Sequence, residues 1–125
     1  ALYDMIMLKD NHIDFAGGIA QAIQHTRNYL EKLGKPLKIE VETRNLDEVQ
    51  QVIGAGQVDI IMLDNMHPEE MKEAVALING RYLTEASGNI NEHTIKKVAE
   101  CGVDYISVGA LTHSVKSMDL SLKAF

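Results

Sequence analysis

The chain of 125 residues has one cysteine, no run of basic residues and no apolar stretch long enough for a membrane span. Each lack excludes something. The lone Cys101 can neither close an internal disulfide nor build a thiolate metal cluster, which suits a reducing compartment and sets the expectation of a cytoplasmic protein. Twelve Lys+Arg against 18 Asp+Glu leave a net charge of −6. A surface built to neutralise phosphates looks the opposite, so no nucleic-acid partner is expected. A bilayer-spanning helix needs about 18 apolar residues in a row, so no membrane partner is expected either. No basic-plus-apolar leader resembles a signal peptide. Low-complexity stretches and linkers are missing too. With 46% hydrophobic and 24% charged residues the chain is not a disordered tail, and its length fits one domain at most. The first residue is Ala1 rather than methionine, so a processed chain, or a piece of something longer, is expected.

What is present is an alternation. Five short apolar runs rich in Ile, Met, Val and Leu predict strands covered on both faces, at 2–8, 37–42, 58–63, 81–85 and 105–108. Four helical patterns lie between them. Phe15, Ile19, Ile23, Thr26, Leu30 and Leu33 recur every three or four residues, predicting one long helix with a single buried stripe, stopped by Gly34 and Pro36. The second pattern opens at Asn45 with Glu48 three residues on, a capping-box arrangement, and buries Leu46, Val49, Val52 and Ile53. The third has Pro68 near its first position, Met71, Val75 and Ile78 inward, and Gly80 closing it. The fourth is capped by Asn91, with Ile95 and Val98 inward and Gly102 at the stop. Strand and helix in strict alternation mean parallel strands joined by right-handed crossovers.

The first distinctive polar residues after the five runs are Lys9, Glu42, Asp64, Ser87 and Gly109, at intervals of 33, 22, 23 and 22. About two dozen residues per βα unit suits an α/β barrel. A doubly wound open sheet has the same local pattern. Five strands cannot close a barrel, so in the barrel reading two or three strands and their helices are missing.

In either architecture chemistry sits where strands end. Lys9 can hold a carboxylate or phosphate as a point charge, although the residues alone slightly favour a plain surface turn with Asp10 or Asn11 capping the next helix. Glu40 and Glu42 are two apart on one strand and share a face, and Asp64 ends the neighbouring run. Adjacent carboxylates bind ribose hydroxyls, hold Mg²⁺, or stabilise a cation developing in a transition state. The structural alternative has Asp64 capping the helix at Pro68 and Glu40 bridged to a lysine. Function is favoured for Glu42 and Asp64, and Glu40 is left open. Ser87-Gly88 and Gly109 to His113 form small-residue turns after consecutive strands, leaving backbone N–H groups free for a phosphate. Each alone reads as an ordinary turn; two in succession, beside two carboxylates, favour a phosphate site. A phosphate at one end, ribose hydroxyls beside Glu42 and Asp64, and an anionic second substrate facing Lys9 fit phosphoribosyl transfer. Its transition state is an oxocarbenium ion, and losing one preorganised charge from such a site costs about 3 kcal/mol.

Leu-Lys-Asp-Asn-His at 8–12, Glu-Val-Glu at 40–42, Leu-Asp-Asn at 63–65, Glu-Ala-Ser-Gly at 85–88 and Ser-Val-Gly-Ala-Leu-Thr-His-Ser at 107–114 stand in one order and spacing. Together they resemble the C-terminal domain of quinolinate phosphoribosyltransferase, also called nicotinate-nucleotide pyrophosphorylase (carboxylating). The resemblance implies an α/β fold, a parallel barrel-type domain present as an incomplete barrel of about five βα units. Residues 1–125 would be part of the C-terminal catalytic domain, with the N-terminal domain and first barrel strands absent. It further implies the transfer of phosphoribosyl from phosphoribosyl pyrophosphate to quinolinate with Mg²⁺, giving nicotinate mononucleotide, pyrophosphate and CO₂ in NAD biosynthesis. Subunits would pair as a homodimer or higher homo-oligomer, each site borrowing groups from its neighbour. On this basis Lys9 contacts the quinolinate carboxylates, Glu42 and Asp64 face the ribose hydroxyls and the metal, and Ser87, Gly88, Gly109 and His113 surround the 5-phosphate. Asn11, His12 and Glu40 carry over only as loop and supporting residues, and nothing resembles a dedicated decarboxylation base.

The sequence also departs from the family. A His-Arg pair that helps hold the dicarboxylate should lie just before Ala1. Without it and the earlier cations, the chain alone is expected to be inactive, and its apolar edge at 2–8 invites association. Rival readings are a paralogous barrel acting on another ring such as nicotinate, and a non-catalytic phosphate-ligand binding or oligomerisation module. The latter keeps the Ser87-Gly88 and Gly109 cradle but has no need of Glu42 with Asp64. A further alternative makes both carboxylates stability residues.

Overall fold

Apolar strands and amphipathic helices alternate through the whole of residues 5–107, the part of the chain that the computed structural model describes. The order is β1 (Met5–Leu8), α1 (Asp10–Ala16), α2 (Ile19–Leu33), β2 (Lys38–Thr43), α3 (Leu46–Ala55), β3 (Ile60–Asp64), α4 (Pro68–Ile78), β4 (Leu83–Ser87), α5 (Ile95–Ala99) and β5 (Tyr105–Ile106). The strands form one sheet in the order β1-β2-β3-β4-β5, every pair parallel. This order separates the two architectures that periodicity leaves open. A doubly wound sheet reverses its strand order at a switch point; here each crossover steps to the next strand in the same direction. Right-handed crossovers then put the helices on one side, and the sheet is an arc of a barrel.

The two faces of the arc differ as the alternation of side chains requires. On the helix side Ile39, Val41, Ile61, Leu63, Ala86 and Ile106 join Ile23, Val49, Val52, Met71, Ile78 and Val98 in one core. The other face carries Glu40, Glu42, Ile60, Met62, Asp64, Glu85 and Ser87, set side by side through the pairings Glu42 with Met62, Met62 with Glu85, and Asp64 with Ser87. A wall with carboxyls on one side and hydrocarbon on the other is the sequence signature of an inward-facing polar surface.

The ends of the elements show what propensity misses. The long first helix is two helices, broken at Gly17 (φ 96°) and Gly18 (φ 138°), backbone that only glycine adopts freely. Periodicity cannot be carried across that break, and Phe15, expected in the buried stripe, is 95% exposed; Leu33, in the last turn of α2, is 48% exposed. Strands β3 and β4 begin two residues later than expected and end one and two residues later, so Asp64 and Ser87 belong to the ladder. Arg81 is not a strand residue. Its N–H donates to Ile78 O (3.1 Å) and its guanidinium to Leu77 O (2.9 Å) and Ile78 O (3.2 Å), closing α4. Strand β1 is Met5–Leu8, at one edge of the sheet as expected; residues 2–4 and Val108 lie outside the described residues.

Caps were more local and more legible. Asn45 Oδ1 accepts from Glu48 N at 2.9 Å, and Pro68 occupies the first turn of α4. The Glu48 carboxylate reaches Arg44 N (2.7 Å) rather than the Asn45 N–H, so the capping box is displaced by one residue. Asn91 caps the turn ahead of α5, not the helix, accepting from His93 N (2.8 Å) and Thr94 N (3.2 Å). Cys101 is buried, its Sγ 3.2 Å from both Pro68 O and Lys97 O, and burial pushes the thiol above its ordinary pKa, which makes it a poor nucleophile. No described helix is long and apolar enough to cross a membrane.

Candidate functional site

Parallel strands bring all their C-terminal ends to one rim, and five of the expected site residues gather there. Lys9 follows β1, Glu42 lies near the end of β2, Asp64 and Ser87 close β3 and β4 side by side, and Gly88 turns the chain after them. Gly109 and His113 lie outside the described residues. Gly88 has φ 82°, and a Cβ there would stand 3.0 Å from Asp64 Oδ1 and 3.1 Å from Asn65 N. Any other residue would therefore be both strained and pressed against the carboxylate, so the turn needs glycine for backbone conformation and for close approach.

The charges at this rim act on one another. The Glu42 carboxyl lies above its ordinary pKa because it is partly desolvated and faces Asp64 and Asp10, an effect that Lys9 and Arg44 reduce. Asp64 is likewise raised by burial and then by Asp10, against Arg44 and Lys9. Neither carboxylate accepts a hydrogen bond from any described residue. The alternative of Asp64 capping α4 is not realised, since His67 holds that position. Three carboxylates and two cations thus share one end of the sheet.

Two of these, Asp10 and Arg44, were not expected as site residues. Arg44 bridges Asp10 and Glu48: its Nη1 is 3.2 Å from Asp10 Oδ2, and its Nη2 is 2.9 Å from Glu48 Oε2. Burial pushes the Glu48 carboxyl up, but hydrogen bonds from the Arg44 side chain and backbone outweigh this and hold it below the ordinary value. The signal in the sequence was a cation immediately after the strand-end Glu-Thr; what it pairs with depends on strand register.

Glu40 lies one layer deeper on the same face and is 1% exposed. Burial, then a hydrogen bond and repulsion from Glu85, push its carboxyl up to about 9, so it carries a proton at neutral pH. Its Oε2 has no hydrogen-bond partner, while Glu85 accepts from Ser107 Oγ. The structural alternative of a lysine bridge to Glu40 is not realised; the group facing it is Glu85. The rim is open, since an arc of five strands has no opposite wall. A groove of about 650 Å³ between α4 and α5, lined by His67, Pro68, Glu69, Lys72, Lys97, Glu100 and Cys101, contains none of the rim residues.

A one-directional parallel arc, with carboxylates and a glycine turn at its C-terminal rim, defines an α/β-barrel-type domain with a strand-end ligand site. The comparisons specify which. The sequence model described as quinolinate phosphoribosyl transferase, C-terminal domain, matches residues 1–123, and the chain belongs to that family. Quinolinate phosphoribosyltransferase (decarboxylating) 2b, mitochondrial, of Nicotiana tabacum is 48% identical over 136 residues, covering 98% of this chain and 39% of its own length. The probable nicotinate-nucleotide pyrophosphorylase (carboxylating) of Methanocaldococcus jannaschii is 44% identical over 128 residues, covering 97% and 44%. The structure of the nicotinate-nucleotide pyrophosphorylase from Francisella tularensis superimposes with a TM-score of 0.80 at 42% identity, over 93% of this chain and 40% of that one. The chain therefore spans less than half the length of the relatives it matches.

Proposed function

We propose that this chain carries the phosphoribosyl pyrophosphate side of a quinolinate phosphoribosyltransferase site, within a longer protein that makes nicotinate mononucleotide, pyrophosphate and CO₂ in NAD biosynthesis. The observation that carries it is the placement of Glu42 and Asp64 at adjacent strand ends, Asp64 against the Ser87-Gly88 turn, with neither carboxylate accepting a hydrogen bond from a described residue. Ribose hydroxyls donate to such carboxylates, and the half-buried glycine turn at Gly88 suits the 5-phosphate, the ligand that the family resemblance also assigns to Gly109 and His113, outside the described residues. Lys9 supplies a point charge for the quinolinate carboxylates. As the bond to pyrophosphate weakens, positive charge grows on the ribose, and Glu42 and Asp64 stabilise it more than they stabilise the ground state.

The donor set also fits Mg²⁺. Glu42 and Asp64 are hard oxygen ligands whose raised pKa a cation would relieve, and among the described residues no three His, Cys, Asp or Glu side chains are placed to hold a metal ion together. Mg²⁺ is satisfied by one or two carboxylates completed by water and substrate phosphates, where it neutralises phosphate charge. A homodimer of the longer protein and a reducing compartment belong to the same reading. The lone cysteine supports the compartment, and the mitochondrial label of the tobacco relative leaves cytoplasmic as one option within it.

The test is quinolinate-dependent release of pyrophosphate by the full-length protein, with Glu42→Ala alongside. Release that Glu42→Ala abolishes supports the enzyme. Unchanged phosphate-ligand binding without turnover in either protein would establish the binding-module reading instead. Release with nicotinate and not quinolinate would assign the other ring.

A further inference from the structure

Two asparagines that none of these roles uses stand at the same pair of strand ends. Asn65 follows Asp64, Asn89 follows Gly88, and both have left-handed backbone, with φ of 60° and 50°. Among residues with a Cβ, asparagine tolerates that region best. Asn89 Nδ2 donates to Asn65 Oδ1 at 2.6 Å, and the Asn65 N–H donates to Ser87 O at 2.7 Å. One side-chain bond and one backbone bond therefore tie the turn after β3 to the turn after β4. Between them lies the carboxylate of Asp64, which accepts no hydrogen bond from any described residue. Its position is set from behind, by the backbone that Asn65 continues. The clearance at Gly88 leaves little slack, because 3.0 Å separates Asp64 Oδ1 from where a Cβ would be.

We propose that Asn65 and Asn89 form a staple of positioning residues that fixes the Asp64 carboxylate against the Ser87-Gly88 turn. The staple thereby sets the distance between the ribose-binding and phosphate-binding ends of the site. The inference rests on the phosphoribosyl reading above and deepens it. The staple touches no substrate; it acts through Asp64 and Gly88. Opening it spoils recognition of the one ligand that must reach both turns, phosphoribosyl pyrophosphate, and leaves the Lys9 side unaffected.

The experiment is steady-state kinetics on the full-length protein with Asn89→Gly, which removes the amide while keeping the left-handed turn available. The KM for phosphoribosyl pyrophosphate should rise about tenfold, the worth of one hydrogen bond, while the KM for quinolinate stays within about twofold. Asn65→Gly breaks the same bond from its other end and serves if Asn89→Gly fails to fold. The double variant should be no worse than the weaker single one, since both remove one interaction. Equal rises in both KM values, effects that multiply in the double variant, or no change at all would each overturn the staple. If the unsubstituted protein releases no pyrophosphate, it is the phosphoribosyl reading that fails. The staple is then judged by hydrogen exchange at the Asn65 amide. Exchange about tenfold faster in Asn89→Gly upholds it and unaltered exchange overturns it.

Discussion

Four carboxylates mark the two rims of this sheet, and they are treated differently. At the rim where strands begin, Asp59 Oδ2 accepts from Ile39 N at 2.8 Å and meets Arg27 Nη2 at 3.4 Å, while Asp104 Oδ2 accepts from Thr84 N at 2.8 Å and Thr84 Oγ1 at 3.2 Å. Each fastens the start of the preceding strand. At the rim where strands end, Glu42 and Asp64 accept nothing from the described residues and face other carboxylates. Carboxylates bound by the chain's own backbone hold the fold; carboxylates left among like charges are held at a cost, which a ligand can offset. In barrel folds the first kind belongs to the stability face and the second to the reaction face.

The largest effect is expected at the rim where strands end. Glu42→Gln in the full-length protein should lower turnover about a hundredfold, or about 3 kcal/mol in the barrier. The thermal midpoint should not fall, because the substitution removes repulsion with Asp64; a large drop in melting temperature would reassign Glu42 to the fold. Asp59→Ala should do the converse. Losing a charged hydrogen bond to Ile39 N and the contact with Arg27 should cost about 2 kcal/mol in denaturant unfolding, with kcat unchanged.

A third variant sharpens the contrast by pH. The Glu40 carboxyl is held at about 9 in the fold against an ordinary 4.5, so the unfolded chain gives up this proton first. Its contribution to stability is therefore complete below 4.5 and is lost as pH rises towards 9. Glu40→Gln cannot ionise and should flatten that decline, raising stability at pH 8 and leaving it unchanged at pH 4. A decline of the same slope in the variant would show that Glu40 does not cause it. The smallest effect is expected at Asn45→Ala, where loss of the bond to Glu48 N should cost about 1 kcal/mol in thermal unfolding, with no effect on turnover.

What could be read without coordinates was what neighbours in sequence decide. Asn45 three residues before Glu48, Pro68 at a helix start and apolar runs two dozen residues apart specify their elements locally, and the structure has them there. The rim residues Lys9, Glu42, Asp64, Ser87 and Gly88 were legible because a polar residue ending an apolar strand is conspicuous. Phe15 is not legible in this way, because the helical stripe it belongs to in sequence crosses two glycines that end one helix and start another. Asp10 and Arg44 are 34 residues apart in sequence and meet only because β1 and β2 pair in a particular register. Glu40 and Glu85 come together across the whole width of β3, which no local pattern encodes.

The strand order has a consequence for how the site is made. Each strand pairs with the strand immediately before it in the chain, so the sheet can grow in the direction of translation without waiting for a distant segment. Assembly would be stepwise: Glu42 and Asp64 come together once β3 has docked, and Ser87 with the Gly88 turn joins when β4 follows. Synthesis would thus supply the two carboxylates first and the Ser87-Gly88 turn afterwards, so that the rim is laid down in the order in which it is read.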